Sequence, residues 1–139
     1  MEILNVNKER PYPPRVTEFT SPFWESLGEG LLQTTQCQRC HKLSFPPKHI
    51  CPHCWMDSPG WTSIKHTGTL YSWTTIHASP AQFSNDLPYT VGIVDLDDNL
   101  RVACRVLTKD GIAPTVDARV RLVVVMYQDG PLLAAALAG

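Results

Sequence analysis

Two Cys-x-x-Cys pairs, Cys37-Gln38-Arg39-Cys40 and Cys51-Pro52-His53-Cys54, stand ten residues apart and hold four of the five cysteines in the 139-residue chain. Taken singly, the first pair with His41 matches a c-type haem attachment pattern, and the second matches a redox dithiol. Taken together, they supply the two tight turns of a zinc ribbon, whose four thiolates close a tetrahedral site that neither pair could close alone. The haem pattern requires an export route and an apolar pocket around a macrocycle, and neither is visible. A redox dithiol needs its first thiol at a helix N-terminus, where the dipole lowers its pKa. Here Trp55-Met56-Asp57-Ser58-Pro59-Gly60 follows, and proline and glycine break a helix almost at once. The donor set therefore predicts one structural zinc on Cys37, Cys40, Cys51 and Cys54, with ferrous iron disfavoured by the divalent affinity order.

Each turn of such a ribbon is usually followed by glycine at positive φ, and here His41 and Trp55 take those places. Histidine tolerates that conformation moderately and tryptophan poorly, so the second turn is expected to be distorted. His41, His49, His53 and His66 stand near the pairs and could replace a thiolate, but solvated histidines on a basic ribbon need no such role. Cys104 falls on the apolar face of its strand and reads as a core thiol.

Beyond the cysteines, chemistry is sparse. No nucleophile with a base, phosphate-cradling glycine loop or separated carboxylate pair has supporting context. Asp95, Asp97 and Asp98 read as a solvated hairpin. Arg101 and Arg105 share one strand face, as Arg119 and Arg121 do, and together the four form a candidate anion-binding set, although the wet face of a barrel carries such charges without one. Tyr71, Trp73, Phe83 and Tyr89 lie in or near the first two barrel strands, where bases can stack on aromatic rings. Packing inside the barrel or against a protein accounts for them equally well.

Three segments must position these groups. In residues 1–30, Pro11, Pro13 and Pro14 remove donors and fix φ, making Lys8 to Val16 an extended arm. Ser21 is a candidate cap and Pro22 suits the first helical position, while Gly28 and Gly30 end the helix after about two turns. So short a helix is marginal in water, and Phe23 and Trp24 must pack on something, in this chain or another. Residues 31–66, with the cysteine pairs and Pro46, Pro47, Pro52 and Pro59, cannot bury a core of their own and need a staple. In residues 67–139, GTLYSWTTIH (68–77), YTVGIVDL (89–96), LRVACRVL (100–107) and ARVRLVVVM (118–126) read as strands, with turn residues Asp97-Asp98-Asn99 between the second and third. Four or five short strands predict a small OB-type barrel. The fold class is thus mainly β: an N-terminal arm and short helix, a zinc ribbon, then the barrel.

The formal charge of -1 provides no overall field for nucleic acid or an anionic membrane. Residues 1–20 lack a basic start followed by an apolar core, so no secretion signal is expected and the cytoplasm is the expected compartment. LLAAALAG at 132–139 is far shorter than the roughly 20 residues of a spanning helix, so no membrane association is expected.

The order of the pieces is more specific than any one of them. Arg10-Pro11 in an arm, Phe23-Trp24 in a short helix, Gly30-Leu31-Leu32, the Cys37/Cys40 pair, Phe45-Pro46-Pro47, Cys51-Pro52-x-Cys54, Trp61, Gly68-Thr69-Leu70-Tyr71-Ser72, His77 and Pro88-Tyr89 resemble the rubredoxin-like zinc-ribbon family with an acyl-CoA-associated OB fold. His41, in place of a glycine, and His49, where arginine is common, depart from that pattern. The resemblance covers most of the chain and implies a non-catalytic accessory subunit, similar to those of acyl-CoA thiolase, steroid side-chain aldolase and phloroglucinol acetyltransferase complexes. It implies a hetero-oligomer in which a thiolase-like partner carries the nucleophilic cysteine, the proton-transfer histidines and the acyl-CoA substrate. On this reading Phe23, Trp24, His77, Phe83 and Tyr89 are the expected partner contacts, and Arg101, Arg105, Arg119 and Arg121 the expected CoA or anion contacts. The competing readings are an OB module for single-stranded nucleic acid, which the weak charge disfavours, and a thiol oxidoreductase.

Overall fold

The computed structural model describes residues 1–11, 14–78, 88–108 and 113–137. In chain order its elements are β1 (Ile3–Asn5), α1 (Ser21–Gly28), β2 (Gln33–Cys37), β3 (Leu43–Ser44), β4 (Pro59–Ser63), β5 (Thr67–Ile76), β6 (Tyr89–Leu96), β7 (Arg101–Leu107), β8 (Arg119–Tyr127) and β9 (Gly130–Leu137). Phe83, one of the expected partner contacts, lies outside the described residues.

Strands β5 to β9 close a barrel. β5 pairs antiparallel with β6 and β6 with β7; β7 runs parallel to β9; β9 pairs antiparallel with β8, and β8 returns to β5. This is the Greek-key closure of an OB fold. β6 shows why the sequence folds this way: Thr90, Gly92, Val94 and Leu96 point inward, while Tyr89, Val91, Ile93 and Asp95 alternate outward. Leu70, Val102, Val106, Val120, Leu122 and Val124 join the interior from the other strands. A bulge between Leu70 and Ser72 keeps Leu70 buried and turns Tyr71 out to solvent.

Gly68 marks the point where β5 meets both β6 and β8. A Cβ there would collide with the Asp95 carbonyl oxygen and stand 2.9 Å from Leu96 Cα. Because backbone is the obstacle, Gly68→Ala is expected to destabilise the chain by at least the roughly 1–3 kcal/mol typical of overpacking. The denaturant midpoint reads this directly, and an unchanged midpoint would mean that the sheet opens there without cost.

The strand pattern extends beyond the sequence expectation at both ends. β9 lies in the alanine-rich stretch that carries little strand propensity; pairing to β7 on one edge and β8 on the other overrides it. β1 runs parallel to β8, and the arm continues beside it as the Val6 amide donates to the Met126 carbonyl at 2.9 Å and the Gln128 amide to the Lys8 carbonyl at 2.9 Å. Arg10 then fastens the arm, pairing with Asp129 and donating to its carbonyl oxygen at 2.8 Å. β8 is consequently buried on both faces: Val123, Val125 and Tyr127 form a second apolar cluster with Leu132 and Ala134, covered by Leu4, Val6 and Trp24.

Helix α1 begins at Ser21, so Ser21 is not its cap. Thr20 precedes the helix without a side-chain cap, and Ser21 Oγ bonds Glu25 Oε1 at 3.1 Å. The C-terminal end follows the Schellman pattern, with Gly30 at φ +82° and the Leu31 amide donating to the Ser26 carbonyl at 2.9 Å. The helix buries Phe23 and Leu27. These two, with Leu32 and Ile64 from either side of the ribbon, share one core with the barrel. Phe23 is therefore corrected from a partner contact to a core residue: its ring packs against Trp24 and Phe45, with centroids 5.0 and 5.9 Å away. Trp24 is half-buried between both apolar clusters.

No described helix is long and apolar enough to cross a membrane.

Candidate metal centre

The ribbon is a three-stranded sheet ordered β3-β2-β4. Cys37 ends β2 opposite Pro59, and the Cys51–Cys54 turn lies in the connection between β3 and β4. The two turns repeat one hydrogen-bond scheme. In the first, the His41 amide donates to the Cys37 carbonyl at 3.0 Å and the Cys37 amide to the Lys42 carbonyl at 3.0 Å; in the second, the Trp55 amide donates to the Cys51 carbonyl at 2.9 Å and the Cys51 amide to the Met56 carbonyl at 2.8 Å. His41 and Trp55 sit at φ 62° and 67°. The expected distortion of the second turn is thus absent: its hydrogen bonds hold a tryptophan in the left-handed region that glycine favours.

The four Sγ atoms lie within 4.8 Å of one another. Cys37 Sγ is 3.4 Å from Cys54 Sγ and Cys40 Sγ is 3.6 Å from Cys51 Sγ. Zn–S bonds of about 2.3 Å in a tetrahedron place sulfurs about 3.8 Å apart, so the cage fits the ion. Amides point at the sulfurs: those of Arg39 and Cys40 lie 3.4 Å from Cys37 Sγ, and that of His53 lies 3.4 Å from Cys51 Sγ. The Cys40 amide, assisted by Arg39, draws the Cys37 thiol down to about 6 against the effect of burial. Burial raises the Cys51 thiol, but the His53 and Cys54 amides outweigh it and the net shift is downward. At Cys54 the Met56 amide acts downward, yet the Cys37 sulfur and burial push the thiol up to about 11. Four thiolates so close repel one another, and a divalent ion that prefers four thiolates supplies the opposing charge.

No histidine belongs to the four-sulfur cluster. His49 instead meets Phe19 edge-on at 5.2 Å, and Phe19 leans on Trp61 at 5.7 Å, contacts that the sequence pattern did not reveal. Pro52 to Cys54 form a turn and not the helix start that a redox dithiol needs. Cys104 is remote from the cage in kind as well as role, since burial alone pushes its thiol up to about 12.

Three of the four arginines are held by carboxylates. Arg101 pairs with Asp95 at 2.7 Å and lies over the Tyr71 ring at 4.2 Å; Arg119 pairs with Asp97 at 2.9 Å; Arg121 pairs with Glu2 at 3.0 Å. Arg105 lies over the Tyr89 ring at 4.3 Å, where both line a cleft of about 440 Å³ with Val91, Ile93 and Ala103. His77 is exposed just beyond the end of β5. The hydrogen bonds of Arg119, then of Thr67, hold the Asp97 carboxyl well below the usual carboxylate range. Its folded pKa is depressed, so the stability it contributes is present above the unfolded value of about 3.9 and is lost as pH falls toward the folded value. Asp97→Asn is expected to flatten the stability profile below about pH 4 relative to the parent; superimposable profiles would contradict the pairing.

An OB barrel joined through a shared core to a ribbon with four convergent thiolates defines a class: zinc-ribbon/OB proteins. Family models for the ChsH2 rubredoxin-like zinc ribbon domain and the ChsH2 C-terminal OB-fold domain match residues 24–59 and 61–125, and the chain belongs to this family. It is 30% identical to the benzoylsuccinyl-CoA thiolase subunit BbsA of Thauera aromatica over 69% of this chain and 67% of that one. It is 27% identical to a DUF35 domain-containing scaffold protein of Methanocaldococcus jannaschii over 60% of this chain, spanning 61% of that relative's length. The fold is shared with a solved Ltp2-ChsH2(DUF35) aldolase chain at a TM-score of 0.80 and 22% identity, covering 91% of this chain and 100% of that one.

Proposed function

We propose that this chain is a non-catalytic zinc-binding accessory subunit that bridges or stabilises a thiolase-fold enzyme making or breaking carbon–carbon bonds at acyl groups in the cytoplasm. The observation that carries the reading is a four-thiolate cage, in a chain similar to a thiolase subunit and a scaffold protein. Four protein ligands close a zinc ion's tetrahedral shell, which is the signature of structural sites; catalytic zinc keeps a position open for water or substrate. The ribbon then packs with α1 on the core it shares with the barrel and presents a fixed surface for assembly. Within this reading Trp24, His77 and Tyr89 are the proposed partner contacts, and Arg101, Arg105, Arg119 and Arg121 the proposed CoA or anion contacts. The division at residues 30/31 and 66/67 is proposed to separate arm, ribbon and barrel in sequence, while one core unites them in space.

The test is to assay thiolysis and acyl transfer with the isolated chain, with a thiolase-like subunit from the same organism, and with the two mixed. Turnover only with the partner present supports the reading. Turnover by the pure chain would overturn it.

A further inference from the structure

The side chain of Trp55 belongs to neither apolar cluster of the fold. The residue occupies a left-handed backbone position, φ 67°, that suits glycine, and its side chain is 78% exposed. Neither the backbone conformation nor packing within the chain accounts for a tryptophan there. Strain of this kind, held by the surrounding structure, concentrates at functional surfaces. Trp55 is also not alone: Ile50 is 49% exposed and Met56 36%, and the bond from the Cys51 amide to the Met56 carbonyl joins the two ends of this turn. One six-residue turn and its flank thus present three large apolar side chains to solvent.

The surroundings define what this knob would meet. Across residues 31–66 the exposed cations Arg39, Lys42, Lys48 and Lys65 outnumber the single carboxylate, Asp57, so the ribbon that carries the knob is net positive. Tryptophan and methionine are enriched in the cores of protein interfaces, and tryptophan and arginine at their hot spots. Exposed Ile50 and Met56, apolar and without a π-face, suit a pocket better than a stacking platform for bases. The cage and the turn's own hydrogen bonds, Trp55 amide to Cys51 carbonyl and Cys51 amide to Met56 carbonyl, hold it in place, which lowers the ordering cost of binding.

We propose that the second cysteine turn is the primary docking knob of this chain, with Trp55 entering an apolar pocket rimmed by acidic residues on a protein partner. This rests on the accessory-subunit reading and specifies which surface carries the assembly.

The test compares the wild-type chain with Trp55→Gly and Trp55→Phe, using as probe the thiolase-like subunit that co-purifies with the wild-type protein. Glycine suits the backbone position, so Trp55→Gly is expected to keep its zinc and its thermal midpoint while its Kd for the probe rises at least about 30-fold, with phenylalanine restoring part of the loss. Wild-type affinity in Trp55→Gly would overturn the proposal while leaving the accessory reading intact. Failure of the wild-type chain to bind any thiolase-like subunit would overturn both. Salt-sensitive quenching of wild-type fluorescence by a single-stranded oligothymidylate, lost in Trp55→Gly, would assign the knob to nucleic acid and overturn a protein partner.

Discussion

Cys51→Ser, or zinc removal with a strong chelator, is expected to unfold the ribbon and lower the stability of the whole chain by at least about 5 kcal/mol. Structural zinc in isolated fingers carries roughly 10–16 kcal/mol of apparent binding free energy, and that energy is folding energy when no cage exists in the unfolded chain. Cys51 is buried and accepts the His53 amide, so a serine there removes a ligand and leaves the turn without its anchor. The damage should not stop at the ribbon. Leu32 and Ile64, on either side of it, belong to the barrel core, and the Leu122 amide donates to the His66 carbonyl at 2.6 Å. A domain of this size shifts by about 3–5 °C per kcal/mol, so a melting point lowered by roughly 15 °C or more is the expected reading. Retention of the parent's melting point and zinc content by Cys51→Ser would show that the cage is not structural.

The second large effect is expected at Phe23. Its side chain is 7% exposed in the core shared by helix, ribbon and barrel. Truncation to alanine should cost the isolated chain about 3–5 kcal/mol, the usual range for a buried phenylalanine. A surface anchor behaves differently: its truncation leaves the free chain nearly unchanged and weakens only the complex. Equilibrium unfolding of purified Phe23→Ala without any partner distinguishes the two, and a change below about 1 kcal/mol would return Phe23 to the interface.

Phe23 also shows what a sequence can and cannot reveal. A helix of eight residues with adjacent aromatics must pack on something, and that much follows from its length. What it packs on depends on where Phe45, Leu32 and the barrel come together, which no local pattern encodes. The cage lay at the other extreme. Two tight thiolate turns ten residues apart have one common purpose, and Cys37, Cys40, Cys51 and Cys54 converge as their spacing requires. The barrel strands with alternating or β-branched patterns were equally legible. β9 was not, because its alanines lack strand propensity and only pairing to β7 and β8 makes it a strand. β1 is three residues long and has no period to read.

At Trp55 and at the arginines, local pattern and three-dimensional neighbours part company. At Trp55 the local preference was known, but the paired hydrogen bonds of the turn outweighed it. At Arg101 and Arg119 the neighbours are what spacing does not show: Asp95 faces Arg101 across the β6–β7 ladder, and Asp97 reaches Arg119 from the hairpin. Register between strands decides such pairs, and spacing along one strand does not reveal it.

The proposed function rests on a closed zinc cage that holds an assembly surface for a larger enzyme. Its most direct test is native mass spectrometry of the protein purified from its own host without chelator, with metal analysis of the same sample. The expected result is one zinc per chain, in a complex with a subunit of thiolase size. A metal-free monomer whose four ribbon thiols titrate freely would contradict both the cage and the assembly it supports.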